Sequence, residues 1–530
     1  MRSTPVTNRA GHIRHAAPVP PPTAGSLGHL LAGFTEVPRH LADQTVTGLS
    51  IDSRQIKAGH LFFALNGGQQ HGLEFLDTVQ AAGAHLVLWE PPYDNLPPTH
   101  DTTIPLLAVP ELRQKTGLIA GRFYGEPAQK LKIVGITGTD GKTSCAHFIA
   151  QALSNTHAQS KACGILGTLG IGVYGQTQTA SHTTPDPLTV QRFLAEQVAN
   201  DQQYAVMEVS SHALDQGRVN GVQFAVAVLT NLARDHLDYH KTIVAYAAAK
   251  RRLFLDHQPA CAVLNFDDPF GRHIATELKR TTALIAYGLG EMPEQPESFV
   301  RGKNLTLTPD GCQLQIQSSW GEGELRTGLL GRFNANNILA TLATLLALDV
   351  PFDQALAQIT QTVAVPGRME RLGGQSGQAL AVIDYAHTPH ALQAVLQALR
   401  EHLKGRLWCV FGCGGDRDPG KRPLMAAVAE QYADQLIMTD DNPRSEAPAQ
   451  IISDMLSGLH QPKKATVIHD RRSAILEALA GATADDIVLI AGKGHEDYQL
   501  IGDQSLPFSD HAVAHEFLYP TLQNGCLAHG

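Results

Sequence analysis

Short apolar runs that stop in polar or glycine-rich clusters recur along this chain, and their period separates strands from helices. The clearest case is 131–153, LKIVGITGTDGKTSCAHFIAQAL. Ile133, Val134 and Ile136 predict a strand, a glycine-rich turn follows, and Lys142, Thr143 and Ser144 open a segment of helical spacing that runs to Leu153. Upstream, 61–65 and 85–89 read as strands with a helix over 73–82 between them. Downstream, a strand at 204–209 ends among Glu208, Ser210, Ser211 and His212. Another at 224–229 leads into Asn231, Arg234, Asp235, His236, Asp238 and His240. Helical patterns cover 243–255 and 338–348, the second after Asn334 and Asn337. The last third repeats the rhythm with strands at 379–384, 407–411, 435–439 and 487–490, each closing in a polar or glycine-rich cluster. The expected fold is α/β, its last third a doubly wound sheet with the loops on one edge.

The turn after the first of these strands carries chemistry. Gly138 and Gly141 let backbone N–H groups approach an anion, and the following helix N-terminus favours negative charge. Lys142 then suits the terminal phosphates of a nucleotide and the Thr143 hydroxyl suits Mg²⁺. The longer phosphate-loop pattern fails at Ile136, which leaves G-x-x-G-K-T, Gly138 to Thr143. Two later strands deliver Glu208 and His236 to the carboxyl edge, where ligands of open α/β sheets gather. With Thr143 they are candidates for holding Mg²⁺, although His236 reads equally well as a helix-capping or core histidine. Lys250, among alanines and leucines, reads as a snorkelling lysine. Asp52, Ser53 and Arg54 read as surface turn chemistry. Arg417, Arg444 and Glu496 form a mixed-charge set suited to a zwitterionic small molecule.

Length and composition narrow the field. The 530 residues are too many for a single core, and 43% hydrophobic with 17% charged is globular. A net charge of −9 argues against a general nucleic-acid surface. Seven scattered cysteines without CxxC or zinc spacing fit reduced thiols in a cytoplasmic enzyme. No apolar run is long enough to span a membrane. Residues 1–25 carry arginines, no acid and a proline cluster; they read as a disordered tail in preference to an organelle transit peptide. The expected divisions are 1–25, 26–124, 125–365 and 366–530.

Taken in order, GTDGKT, EVSSHAL, NLARDHLDYH, AYAAAK, GRFNANN, PGRME, DYAHTP, FGCGGDRD, DNPR and GKGHE make the chain resemble the Mur ligases over roughly 26–520. The resemblance implies a mixed α/β UDP-binding domain, a central P-loop ATPase domain with a parallel sheet and a C-terminal Rossmann-like domain. The activity implied is addition of the third residue to UDP-N-acetylmuramoyl-L-alanyl-D-glutamate (UDP-MurNAc-L-Ala-D-Glu), with ATP as cosubstrate, Mg²⁺ as cofactor and an acyl-phosphate intermediate. It also implies a cytoplasmic monomer serving peptidoglycan synthesis.

By the same resemblance Lys142, Lys250 and His236 are catalytic, and Lys250 is carbamylated (N6-carboxylysine). Lys250 then joins Thr143, Glu208 and His236 around Mg²⁺. Nucleotide contacts fall on Thr137, Gly138, Thr139, Asp140, Gly141, Lys142, Thr143, Asn334, Asn337, Arg368 and Asp384. Ile51, Ser53, Thr183, Thr184, Ser210, Gln216 and Arg218 would hold the UDP substrate. Arg417, Asp441, Asn442, Pro443, Arg444, Gly492 and Glu496 would hold the amino acid. The DNPR form resembles the meso-diaminopimelate type, since Arg444 can pair with a distal carboxylate that lysine lacks. Asp140 stands where the family more often has asparagine. The rival expectations are a lysine-adding form, a folylpolyglutamate synthase-like ligase, a ligase of D-Ala-D-Ala, and a non-catalytic scaffold. The intact set Lys142, Thr143, Glu208, His236 and Lys250 weighs against the last.

Overall fold

The structure, a computed structural model, describes residues 25–68, 70–94, 102–154, 162–180, 182–292, 296–375 and 377–520. The expected N-terminal tail, 1–25, lies outside the described residues apart from Gly25. The chain divides into two compact units. One runs to Ile133 and gathers Thr184–Ala205 and His212–Gln223; the other holds Val134–Thr183, Val206–Ser211 and everything from Phe224 onward.

The first unit is built on four parallel strands in sequential order: β1 (Gly48–Ser50), β2 (His60–Ala64), β3 (Leu86–Trp89) and β4 (Leu106–Ala108). Their alternation places Leu61, Phe63, Leu86 and Leu88 against Leu30, Leu31, Ile119 and Phe123 on one face. Phe62, Ala64 and Val87 meet Leu73, Leu76 and Val79 on the other. Both faces are covered, which is why these strands read as near-continuous apolar runs. The helix expected at 73–82 starts as a 3₁₀ turn, Gly72–Phe75, before the α-helix Leu76–Ala81. Asp52 accepts from the Arg54 backbone N–H (3.0 Å) and pairs with its guanidinium (2.9 Å), the turn chemistry expected there.

The second unit carries an eleven-stranded sheet and a six-stranded one. The larger is formed by β5 (Lys132–Thr137), β6 (Gly164–Gly167), β7 (Gly170–Val173), β8 (Gln176–Gln178), β9 (Tyr204–Glu208), β10 (Val226–Leu229), β11 (Cys261–Asn265), β12 (Ala283–Gly288), β13 (Phe299–Thr308), β14 (Gly311–Ser318) and β15 (Gly321–Thr327). Strand order is β15-β14-β13-β12-β11-β10-β5-β9-β6-β7-β8. β5 is thus central, and the phosphate loop leaves from its carboxyl end. One edge, β15, alternates exposed Glu322, Glu324 and Arg326 with more buried neighbours; the other, β8, is three exposed polar residues.

The six-stranded sheet comprises β16 (Glu370–Gly373), β17 (Leu380–Asp384), β18 (Leu407–Phe411), β19 (Gln435–Met438), β20 (Ala465–Val467) and β21 (Ile487–Ala491) in the order β16-β17-β21-β18-β19-β20. Only β16 runs antiparallel. Val382, Cys409 and Leu489 face one core layer while Ile383, Val410 and Val488 face the other. A hairpin of β22 (Tyr498–Ile501) and β23 (Gln504–Pro507) follows. Behind this sheet the Arg471 guanidinium clasps Asp510 with two bonds of 2.7 Å, both side chains fully buried, and a third bond reaches the Ala491 carbonyl at 3.0 Å.

The helix Lys142–Ser154 carries His147, edge-on to Tyr174 at 5.9 Å. Burial holds its imidazole down from 6.5 to about 4. Between those values the unfolded chain binds the extra proton, so this contribution to stability is full above 6.5 and is lost as pH falls towards 4. The ring is partly exposed, which discounts the effect to about 1–2 kcal/mol. Urea unfolding at pH 7 and 4.5 should show the wild type losing that much more stability than His147→Phe. Equal losses would reject this account.

Candidate active site

At the carboxyl end of β5 the phosphate loop folds onto β10's continuation. The Thr139 N–H donates to the Asn231 carbonyl (3.0 Å) and the Asp140 N–H to the Asn231 side chain (3.0 Å), while Thr230 Oγ1 donates to the Asp140 carbonyl (2.6 Å). Gly138 has φ +150°, and a Cβ there would collide with the Thr230 hydroxyl. The loop is held by bonds that only glycine leaves room for.

A cavity of about 250 Å³ opens over this loop. Thr139 to Ser144 line it together with Thr168, Thr183, Glu208, Ser210, Ser211, His236, Lys250 and Arg368. Lys142 Nζ donates to the carbonyls of Gly138 (2.9 Å) and Thr139 (2.7 Å). Burial lowers its pKa, opposed by Glu208, Asp140 and Asp235. Burial pushes the Glu208 carboxyl up against the donors that favour its charge. Those donors are the Thr168 N–H to Oε1 (2.7 Å) and the hydroxyls of Thr143 (2.9 Å) and Thr168 (3.3 Å) to Oε2.

Lys250 does not snorkel. It is 1% exposed, its Nζ donates to the Gly138 carbonyl at 2.6 Å, and the Tyr246 ring lies 4.5 Å away. The helix Ile243–Leu255 turns Tyr246, Ala249, Lys250 and Leu253 inward together, so the lysine belongs to the buried face. Burial first, then the neighbouring Lys142 cation, drives its pKa well below the ordinary range. His236 sits in the cavity wall in a left-handed conformation (φ +51°), half exposed, 3.4 Å from Asp235 and edge-on to Tyr246 at 6.0 Å. It precedes a short helix without capping it through its side chain.

These groups suit a hard cation: a carboxylate, hydroxyls and an imidazole face one space. Among the described residues no three His, Cys, Asp or Glu side chains converge, so such an ion would depend on the Thr143 hydroxyl and on Lys250.

Thr137, Asn334, Asn337 and Asp384, expected as nucleotide contacts, are not among the residues lining the cavity. Thr137 is buried at the end of β5. Asn337 Nδ2 donates to Asn334 Oδ1 (3.1 Å), Asn334 Nδ2 to the Leu330 carbonyl (2.9 Å), and both lie inside a helix that starts at Arg332, earlier than the apolar pattern implied. Asp384 accepts from the N–H groups of Met369 (2.9 Å) and Ala386 (2.8 Å), and so organises the turn that presents Arg368. Arg368 stacks on Tyr385 at 4.9 Å. Thr168 is a cavity residue that sequence reasoning missed, because a hydroxyl after Gly167 gives no periodic signal; Ser211, noted only in the polar cluster after β9, lines the cavity too.

The residues expected around the UDP substrate are divided. Thr183 and Ser210 belong to the second unit and line the cavity; Ile51, Ser53, Thr184, Gln216 and Arg218 belong to the first. There Arg218 donates to the Thr184 carbonyl (2.7 Å) and to Gln216 Oε1 (2.7 and 3.0 Å).

At the carboxyl edge of the six-stranded sheet, the loops after β18, β19 and β21 meet. Arg444, at φ +52°, donates to the Gly415 carbonyl (2.8 Å), and its backbone pairs with Leu500 and Gly502 around the β22–β23 hairpin. Arg417 is exposed beside Gly414. Asn442 Nδ2 donates to Glu496 Oε2 (2.9 Å), while Asp441 lies against Gly492 and Pro443 is buried next to them.

A phosphate loop on a parallel sheet, a buried carboxylate and lysine beside it, and a second sheet ending in arginines form the frame of a nucleotide-using ligase. The chain belongs to the Mur ligase family: 45–124 match the Mur ligase family catalytic domain, 136–345 the Mur ligase middle domain, and 367–494 the glutamate ligase domain. It is 47% identical over 474 residues to the UDP-N-acetylmuramoyl-L-alanyl-D-glutamate–2,6-diaminopimelate ligase of Alkalilimnicola ehrlichii, covering 88% of this chain and 94% of that one. The Pseudomonas aeruginosa protein of the same name is also 47% identical, covering 89% and 95%. A solved structure of a ligase of that name superposes with a TM-score of 0.69 at 34% identity, over 91% of this chain and 96% of the other. Among the described residues no helix is long and apolar enough to cross a membrane.

Proposed function

We propose that this chain adds meso-diaminopimelate to the D-glutamate of UDP-MurNAc-L-Ala-D-Glu, consuming ATP, in cytoplasmic peptidoglycan precursor synthesis. The observation that carries the reading is one cavity in which the phosphate loop, Glu208 and a fully buried Lys250 face each other, in a chain whose 47%-identical relatives bear that ligase's name. The D-glutamyl carboxylate takes the γ-phosphoryl group to give an acyl phosphate and ADP. The amine of diaminopimelate then attacks the acyl carbon, and the tetrahedral intermediate expels phosphate.

The chain's residues meet the needs of that sequence. Lys142 and the loop N–H groups offset charge on the phosphoryl oxygens. Burial disfavours the Lys250 ammonium, and its amine form has the lone pair that captures CO₂; an N–C bond forms, a proton leaves, and a carboxylate-like carbamate results. That carbamate with Thr143, Glu208 and His236 would hold Mg²⁺, which supplies positive charge beside the phosphates. We assign Arg368 to the nucleotide, and Ser53, Thr183, Thr184, Ser210, Gln216 and Arg218 to the UDP substrate, by the family resemblance. By the same resemblance we assign Arg417, Asn442, Arg444, Gly492 and Glu496 to the amino acid and take the protein to act as a monomer.

The test is phosphate release with ATP, Mg²⁺ and UDP-MurNAc-L-Ala-D-Glu, comparing meso-diaminopimelate with L-lysine. Turnover with diaminopimelate alone is expected; turnover with neither would sink the ligase reading. Arg444→Ala should lose about 2–5 kcal/mol of its discrimination between the two amino acids, because the distal carboxylate loses its partner. A variant that still prefers diaminopimelate as strongly as the wild type would remove Arg444 from that role.

A further inference from the structure

Beside the arginines of the second sheet lies a buried cation to which the proposed chemistry gives no role. Lys493 is fully buried in the loop after β21, between two glycines. A buried ammonium is tolerated only with a charged partner and full hydrogen bonding. Its Nζ donates to Glu496 Oε2 at 3.1 Å and to Asn442 Oδ1 at 3.0 Å, and the Tyr498 ring lies 5.6 Å away. Asn442 closes the triangle by donating Nδ2 to the same Glu496 Oε2 at 2.9 Å, while its Oδ1 also accepts from the Leu500 N–H at 3.0 Å.

The triangle has a direction. Both donors converge on Oε2, and among the described residues no hydrogen bond is made to Oε1. The carboxylate cannot rotate without breaking both bonds at once. Asn442 is oriented as well, since its oxygen faces two donors and its nitrogen faces the carboxylate. Its oxygen and one of its N–H groups are thus engaged, which leaves the second N–H for a ligand.

We propose that Lys493 is a positioning residue for the incoming amino acid: with Asn442 it locks Glu496 so that Oε1 alone is presented to a substrate ammonium. It also balances the Glu496 charge, so the ligand's amino group meets a fixed, compensated carboxylate. The inference rests on the ligase reading and on the placing of the amino acid at Glu496.

Steady-state kinetics of the full chain with ATP, Mg²⁺, UDP-MurNAc-L-Ala-D-Glu and meso-diaminopimelate test it. Lys493→Gln keeps a donor but no charge and is the variant expected to remain folded. Its KM for diaminopimelate should rise about 10- to 100-fold with the KM values for ATP and the UDP substrate unchanged. In Lys493→Ala, added ethylammonium should bring the diaminopimelate KM back towards the wild-type value, which loop stabilisation in general would not do. A Lys493→Gln enzyme whose three KM values move together, or whose kcat falls at unchanged diaminopimelate KM, overturns the proposal while leaving the ligase reading intact. A wild-type enzyme without turnover overturns both.

Discussion

Lys142→Met should lower phosphate release by about 10³-fold while leaving the protein folded. The ammonium lies on the phosphate loop, bonded to the Gly138 and Thr139 carbonyls at the floor of the cavity. It is the loop's only cation among the cavity residues Thr139 to Ser144. Its worth is greatest where charge develops, so single-turnover rates should fall further than ATP-analogue affinity. Stability should move the other way. Burial penalises the charged form of this lysine, and an apolar side chain of similar length removes that cost. The expected result is an inactive enzyme that melts at or above the wild-type temperature. A variant retaining a tenth of wild-type turnover would remove Lys142 from phosphoryl transfer.

Asp510→Ala should destabilise the second unit by about 3–5 kcal/mol, read from its denaturant midpoint. The Arg471–Asp510 pair is fully buried on both sides, so removing the carboxylate strands a guanidinium where water cannot reach it. Arg471 also holds the Ala491 carbonyl at the end of β21, immediately before the Gly492–Glu496 loop. The loss should therefore extend to diaminopimelate binding. The double variant Arg471→Met/Asp510→Leu, which removes both charges, should regain most of the stability but not the anchoring of Ala491. Destabilisation below about 1 kcal/mol for Asp510→Ala would show that the buried guanidinium finds another partner.

Legibility in the sequence followed physical contrast. Strands with one apolar run and a polar end were readable: the expected 407–411 and the observed β18 coincide, and so do the helix at 243–255 and Ile243–Leu255. In the β13–β15 hairpins, β13 is hard to read because its alternation is thin, with glycine at 302 and few fully buried positions. By contrast, β14 alternates buried Cys312, Leu314 and Ile316 with glutamines, a strand signal that went unread. The Arg332–Ala347 helix was read short because its first turns bury Asn334 and Asn337 in place of apolar residues. Lys250 and Lys493 show the same limit. A lysine's burial is decided by the groups that fold around it, Gly138 in one case and Asn442 with Glu496 in the other. No local pattern encodes those partners; resemblance supplied the first and nothing in the sequence supplied the second.

The two margins of the eleven-stranded sheet bear on how this protein tolerates its own company. A sheet this wide ends in rows of unpaired backbone donors and acceptors that could template another chain. At β15 any strand arriving from a neighbour would have to lie against Glu322, Glu324 and Arg326. At β8 it would find only three residues, Gln176, Thr177 and Gln178, with no apolar side chain to hold it. Open-ended stacking is thus discouraged by charge on one side and by brevity on the other, and the sheet stays finite without closing into a barrel.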